Sequence, residues 1–200
     1  MKRALVLLTV LVACTSAGSG PTTAPVPRSR SSAASSLPSP SAVLSPADTR
    51  TYERPCEESV FGTLGPHWRD HSLVVGPIAF VGLSGAAGAP ERSLGVRGSR
   101  ALPQKVLAVV DRGGPVTVSV APPASAFVGL IYDPHDFPDG PVGLNSTDLS
   151  VTFHPCAGDQ HRTQFNGALL VLHPGCAELD VMWSDGHRRA RIPFAGGRCE

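Results

Sequence analysis

From Thr51 onward the chain is a succession of short apolar runs broken by Gly and Pro, and no other feature limits its fold so tightly. Val116, Val118 and Val120 fall on one side of an extended segment, with Thr117 and Ser119 on the other. Near the end of the chain Ala190, Ile192 and Phe194 oppose Arg189 and Arg191. A period of two buries one face of each segment and leaves the other in water. The runs give eight candidate strands: Leu73–Leu83, Lys105–Asp111, Val116–Ala121, Phe127–Tyr132, Leu149–His154, Gln164–Leu172, Glu178–Ser184 and Arg189–Phe194. Arg112-Gly113-Gly114 and Asp185-Gly186 read as hairpin turns, since glycine adopts the positive φ of tight connections. Gly85–Pro90 and Gly95–Leu102 read as one long loop, and the stretch from Cys56 to Asp70 as irregular. With no convincing amphipathic helix, the expectation is an all-β domain over residues 51–200, a single antiparallel β-sandwich or squat barrel of about eight strands.

The first fifty residues have a different texture. Lys2 and Arg3 precede an apolar run from Ala4 to Ala13, too short to span a bilayer and of the form of an export signal. Residues 1–13 are therefore expected to address the protein rather than build its fold. The run ends in Leu11-Val12-Ala13-Cys14, which resembles the lipobox of bacterial lipoproteins. That resemblance implies cleavage before Cys14 and lipid, palmitate included, on its thiol and new amino terminus. It also implies a protein tethered to the outer face of a bacterial cell membrane. Residues 14–50 then follow as Ser, Pro, Ala, Thr and Gly with hardly a large apolar residue. Such a stretch buries too little surface to offset its ordering entropy, so a disordered spacer of roughly 30 Å reach is expected. No later stretch reaches the 18 or so apolar residues of a membrane span, and the domain is expected to be soluble.

Charge excludes one class of partner. Setting aside Lys2, Arg3, Arg28, Arg30, Arg50 and Asp48, the seventeen basic and sixteen acidic residues reduce to twelve against fifteen from Thr51 on. Nucleic-acid binding calls for clustered positive charge, so no nucleic-acid partner is expected. Arg188, Arg189 and Arg191, joined by Arg162, make a small basic cluster that suits a solvated strand face better than an anionic polymer.

Five cysteines divide into Cys14 and an even set, Cys56, Cys156, Cys176 and Cys199. In an exported domain such a set reads as two disulfides, for which three connectivities exist. If the last four strands form a meander, Cys156 and Cys176 lie at opposite ends of the sheet. A strand of roughly ten residues at about 3.3 Å each separates them by some 30 Å, against the roughly 4–7 Å between Cα atoms that a disulfide permits. Cys176 opens one strand and Cys199 follows its hairpin partner, which favours Cys176 with Cys199 and Cys56 with Cys156. The competing reading takes His154, Cys156, His173 and Cys176 as a tetrahedral zinc set. The same separation and an oxidising compartment both oppose it.

Other constellations are weaker. Asp133, Asp136 and Asp139 in the loop Asp133-Pro134-His135-Asp136-Phe137-Pro138-Asp139-Gly140 offer oxygens to calcium, but at a spacing unlike that of an EF-hand, and Asp and Pro also dominate plain turns. His67-Trp68-Arg69-Asp70-His71 lacks the Glu of a helical zinc protease. Trp68 is expected to plug one end of the sandwich and Trp183, in phase with Leu179 and Val181, to join the core. Ser84, in Gly82-Leu83-Ser84-Gly85, imitates a nucleophile elbow without the expected strand-turn-helix context. No cofactor is expected.

The stretch from Thr163 to Cys199, with Gln164-Phe165-Asn166-Gly167 and Gly196-Gly197-Arg198-Cys199, resembles exported domains of unknown function in high-GC Gram-positive bacteria. The resemblance implies no activity. The expected function is a lipid-anchored extracytoplasmic module that binds an envelope ligand or supports the envelope. The alternative is an envelope enzyme or metal-binding protein with a site built from the Asp133–Asp139 loop and nearby histidines such as His67 or His71. A deep pocket of converging polar groups marks the second, and a shallow face the first.

Overall fold

The computed structural model describes residues 50–111, 113–158 and 162–200. The signal, Cys14, the spacer and Arg112 of the first expected turn lie outside the described residues. Twelve strands form among the described residues: β1 Thr51–Arg54, β2 Ser72–Val75, β3 Ile78–Val81, β4 Gln104–Lys105, β5 Leu107–Asp111, β6 Val116–Val120, β7 Val128–Ile131, β8 Ser150–Phe153, β9 Arg162–Phe165, β10 Ala168–Val171, β11 Gly175–Trp183 and β12 Gly186–Phe194. The α-helix among them is α1, Leu83–Ala87.

The strands assemble into a five-stranded sheet (β1-β8-β6-β11-β12), a four-stranded sheet (β2-β3-β5-β9) and a three-stranded sheet (β4-β10-β7). All pairs are antiparallel except β1 with β8, which run parallel. The sheets do not close into a barrel, and the all-β, sandwich-like expectation holds. The period-two pattern sets the packing. Val116, Val118, Val120, Val151, Phe153, Leu179, Val181, Ile192 and Phe194 line the inner face of the five-stranded sheet. They meet Phe80, Val110 and Phe165 of the four-stranded sheet and Val128, Leu130, Leu169 and Val171 of the three-stranded sheet in one core.

The three-stranded sheet is buried on both faces, which is why β7 and β10 read as unbroken apolar runs instead of alternating. Its second face carries Ile131, Ala168 and Leu170, covered by Phe137, Val142 and Leu144. Three residues of the acidic loop and its continuation are therefore a structural lid on that sheet.

Several expected boundaries are corrected. Leu73–Leu83 is not one strand: Gly76-Pro77 turns it into the hairpin β2–β3, with Val75 opposite Ile78 and Gly76 at φ +57°. Gln164–Leu172 breaks at Asn166-Gly167, where the chain leaves the four-stranded sheet for the three-stranded one. A Cβ on Gly167 would stand 2.8 Å from Ile131 O and would also meet the Tyr132 ring, so only glycine passes there. The loop after β3 contains α1 and a 3-10 turn, Glu91–Leu94, whose Leu94 is buried. Cys56–Asp70, expected irregular, holds two 3-10 turns, Cys56–Glu58 and Trp68–His71. Asp185-Gly186 does close the β11–β12 hairpin, with Trp183 opposite Gly186.

Both disulfides have the expected partners: Cys56 with Cys156 (Cα–Cα 4.9 Å) and Cys176 with Cys199 (5.0 Å). Cys176 and Cys199 do flank one hairpin, but β8 pairs with β1 and β6 rather than with β9, so the last strands are no simple meander. Disulfides of this kind place the folded domain in an oxidising, extracytoplasmic setting. No helix among the described residues is long and apolar enough to cross a membrane.

Candidate functional site

A polar cleft of about 540 Å³ opens at the seam between the five-stranded and three-stranded sheets. The chain itself makes the seam. Leu130 and Asp148 exchange two backbone hydrogen bonds of 2.8 Å, and the next residues, Leu149 and Ser150, donate their N–H groups to Arg50 O at 2.9 and 3.2 Å. The segment 148–150 thus crosses from one sheet to the other, and residues 145–148 just before the crossing line the cleft. Arg50 and Tyr52 of the β1 side, Asp133 and Asp136 beyond β7, and Asn145 with Asp148 line it.

The walls are held from behind by Arg54, whose side chain is completely buried. Its Nη1 donates to Tyr132 O at 2.7 Å and to Glu58 Oε2 at 3.2 Å; its Nη2 donates to Glu58 O at 2.9 Å and Asn166 Oδ1 at 2.8 Å. Glu58 Oε2 also accepts the Tyr52 hydroxyl at 2.9 Å. One buried guanidinium therefore fixes a carboxylate, which fixes the tyrosine at the cleft wall. Burial, the bond to Glu58 and the charge of Asp133 push the Tyr52 phenol up to about 12, so it stays a neutral donor at physiological pH.

Asp148 responds to the same surroundings. Burial raises its pKa; Arg50 pulls it down, while the carboxylates of Asp133 and Asp136 raise it. Because the folded-state value lies above the unfolded one, ionised Asp148 opposes folding at neutral pH, and the penalty vanishes once acid protonates it in both states. Asp148→Asn is expected to raise the melting temperature at neutral pH and to leave it unchanged well below the carboxylate range. A melting temperature lowered at neutral pH would contradict this.

A second cleft of about 590 Å³ adjoins the first, sharing Asn145 and Ser146 as a common shoulder and lined beyond it by Ser99, Arg100 and Leu172. Arg100 Nε donates to Pro141 O at 2.9 Å.

The other expected residues are dispersed. Asp133 and Asp136 reach the first cleft, where Asp133 Oδ1 caps the N–H of His135 at 2.8 Å, but Asp139 does not line it. Among the described residues no group of three or more His, Cys, Asp and Glu side chains is placed to hold a metal ion. His67 pairs with Asp70 at 3.4 Å on the Trp68–His71 turn, and neither it nor His71 lines the cleft. His154 bonds Glu53 at 2.5 Å, His173 stacks on Phe127 with centroids 4.4 Å apart, and all four described cysteines are oxidised, which leaves no thiolate for zinc.

Trp68 is half-buried, its ring 5.6 Å from the Arg162 guanidinium, which is itself paired with Asp111 at 3.0 Å. Trp183 packs half-buried on the core as expected, fitted against Gly76 and Gly186. Arg188, Arg189 and Arg191 are exposed on β12, as a solvated strand face requires, while Arg162 is on another sheet. Arg189 pairs with Asp180 and Glu178 at 2.8 and 3.4 Å, and Arg191 meets Glu178 at 4.0 Å.

Ser84 does follow a strand and a left-handed turn at Gly82 (φ +86°) and sits in α1, so the local context is present after all. Its hydroxyl has no hydrogen-bond partner among the described residues, and no base activates it. Arg50, Tyr52 and Asp148, which sequence reasoning missed, carry no local signature; only the parallel β1–β8 pairing brings residues 50–52 beside 148.

No family model matches the chain, and neither a curated protein nor a solved structure matches it.

Proposed function

We propose that the chain is a lipid-anchored extracytoplasmic binding module that takes its ligand in the cleft between Arg50, Tyr52 and the aspartates. The observation that supports it most directly is the cleft itself, whose wall is fixed in advance by the buried Arg54–Glu58–Tyr52 relay. Preorganisation of this kind lowers the ordering cost of binding. Its volume lies within the range of small-ligand sites, and it is partly open to solvent rather than sealed. The two disulfides agree with an exported protein, and Leu11-Val12-Ala13-Cys14 supplies the tether. Two or more acyl chains on Cys14 suffice for stable attachment.

Fractionation of cells producing wild type or Cys14→Ser tests the tether. Wild type is expected in the membrane fraction and released by detergent; Cys14→Ser is expected in the soluble fraction with an unchanged melting temperature. Membrane retention of Cys14→Ser overturns the anchor.

A further inference from the structure

The two clefts meet at a shoulder whose side chains are free. Asn145 and Ser146 are exposed, line both clefts, and engage no hydrogen-bond partner through their side chains among the described residues. A primary amide presents a donor and an acceptor side by side, the complement of a peptide group. The charges on either side of this shoulder differ in sign. Among the described residues the carboxylates of Asp136 and Asp148 in the first cleft accept no hydrogen bond, and together with Asp133 they outnumber Arg50. In the second, Arg100 commits its Nε to Pro141 O, and its terminal N–H groups engage no partner among the described residues.

We propose that the two clefts form one groove for a short, extended, zwitterionic peptide, its amino end at Asp136 and Asp148 and its carboxylate end at Arg100. The assignment rests on the binding-module reading above and names the ligand class for that site. A guanidinium with free N–H groups is suited to a carboxylate, and unpartnered carboxylates are suited to an ammonium group. Asp148 gains further, since an ammonium offsets the neighbouring carboxylates that disfavour its charge. A neutral oligosaccharide would leave charges at both ends of the groove without partners.

The test uses the full chain and tri-, tetra- and penta-alanine, which span roughly 10–18 Å when extended, each with free ends, N-acetylated, or C-amidated. Affinities are read by titration calorimetry. At the best length, each cap is expected to weaken binding to wild type about tenfold or more, as for loss of a charge-assisted hydrogen bond. The double variant Asp136→Asn/Asp148→Asn, which removes both carboxylates assigned to the amino end, is expected to bind the free and acetylated peptides alike while still discriminating against the amide. Arg100→Gln is expected to show the reverse. Melting curves of both variants report that they are folded.

Caps without effect on wild type, or effects that persist in the matching variant, overturn the orientation and the peptide with it. If no peptide binds but maltotetraose does, and Asp148→Asn abolishes that binding, the peptide inference falls and the cleft stands as a binding site. If neither class binds, both readings fall.

Discussion

Arg54→Ala is expected to destabilise the fold by about 3–5 kcal/mol, the usual consequence of removing one partner from a buried ion pair. The side chain is 0% exposed and donates to four acceptors on three separate segments: Glu58 twice, Tyr132 O and Asn166 Oδ1. Alanine leaves all of them facing a void from which water is largely excluded. An unsatisfied buried acceptor costs about 1–3 kcal/mol, and the carboxylate of Glu58, still mostly buried, suffers most. Arg54→Met with Glu58→Gln fills the volume and removes the stranded charge, so the double variant is expected to regain part of the loss. Urea denaturation of the three proteins measures both effects. A loss below about 1 kcal/mol for Arg54→Ala would show that the guanidinium is incidental. The fold already tolerates an imperfection there, since the buried Arg54 Nε has no partner among the described residues. An arrangement that leaves a donor unsatisfied is poorly explained by stability alone, and the same guanidinium holds the Glu58 carboxylate that accepts the Tyr52 hydroxyl at the cleft wall.

Arg54 also shows where the sequence stops being legible. Thr51-Tyr52-Glu53-Arg54 alternates, but as polar with polar, and nothing local marks it as a strand or its last residue as the most deeply buried charge among the described residues. The information lies in residues 78 and 112 positions away, Tyr132 and Asn166. By contrast β6, β11 and β12 could be read directly, because each has one wet face and one dry face and the residues record both. Where both faces are dry, as in β10 and β7, the same reading found apolar runs but not the sheet to which they belong. It joined β9 to β10 across Asn166-Gly167 because a run of apolar residues does not show a change of sheet.

The site follows the same rule. Asp133 and Asp136 stood out as a local cluster, and that cluster suggested calcium. The structure places them instead along a cleft with Arg50, Tyr52 and Asp148, contributed by a parallel pairing that has no sequence signature. The cysteines were legible because covalent geometry constrains them strongly enough to survive a wrong topology. Cys176 and Cys199 needed only the β11–β12 hairpin, and the other pair followed by elimination.

The two disulfides differ in what they hold, and serine substitutions are expected to separate them. Cys56 and Cys156 close a loop with a sequence separation of 100, Cys176 and Cys199 one of 23. Restriction of the unfolded chain alone gives about 4.7 kcal/mol for the first and about 3.4 kcal/mol for the second at 25 °C. Native contacts widen the gap. Cys56–Cys156 secures the segment that brings Val60 N–H to Gln164 O at 2.8 Å, beside Glu58, and the Cys156 N–H donates to Thr163 Oγ1 at 2.8 Å. Its loss therefore loosens the same region that positions Arg54. Cys176–Cys199 ties down only the tail beyond β12, and the nine paired positions of the β11–β12 hairpin remain without it. Against a typical domain stability of about 5–15 kcal/mol, Cys56→Ser/Cys156→Ser is expected to be unfolded or nearly so at 37 °C, and Cys176→Ser/Cys199→Ser to remain folded with a lowered midpoint. Circular dichroism melts and non-reducing peptide maps of the two variants give the answer. Equal destabilisation, or the reverse order, would mean that the tail carries native contacts worth more than the loop it closes, and that the Cys56 segment holds to the four-stranded sheet without its covalent link.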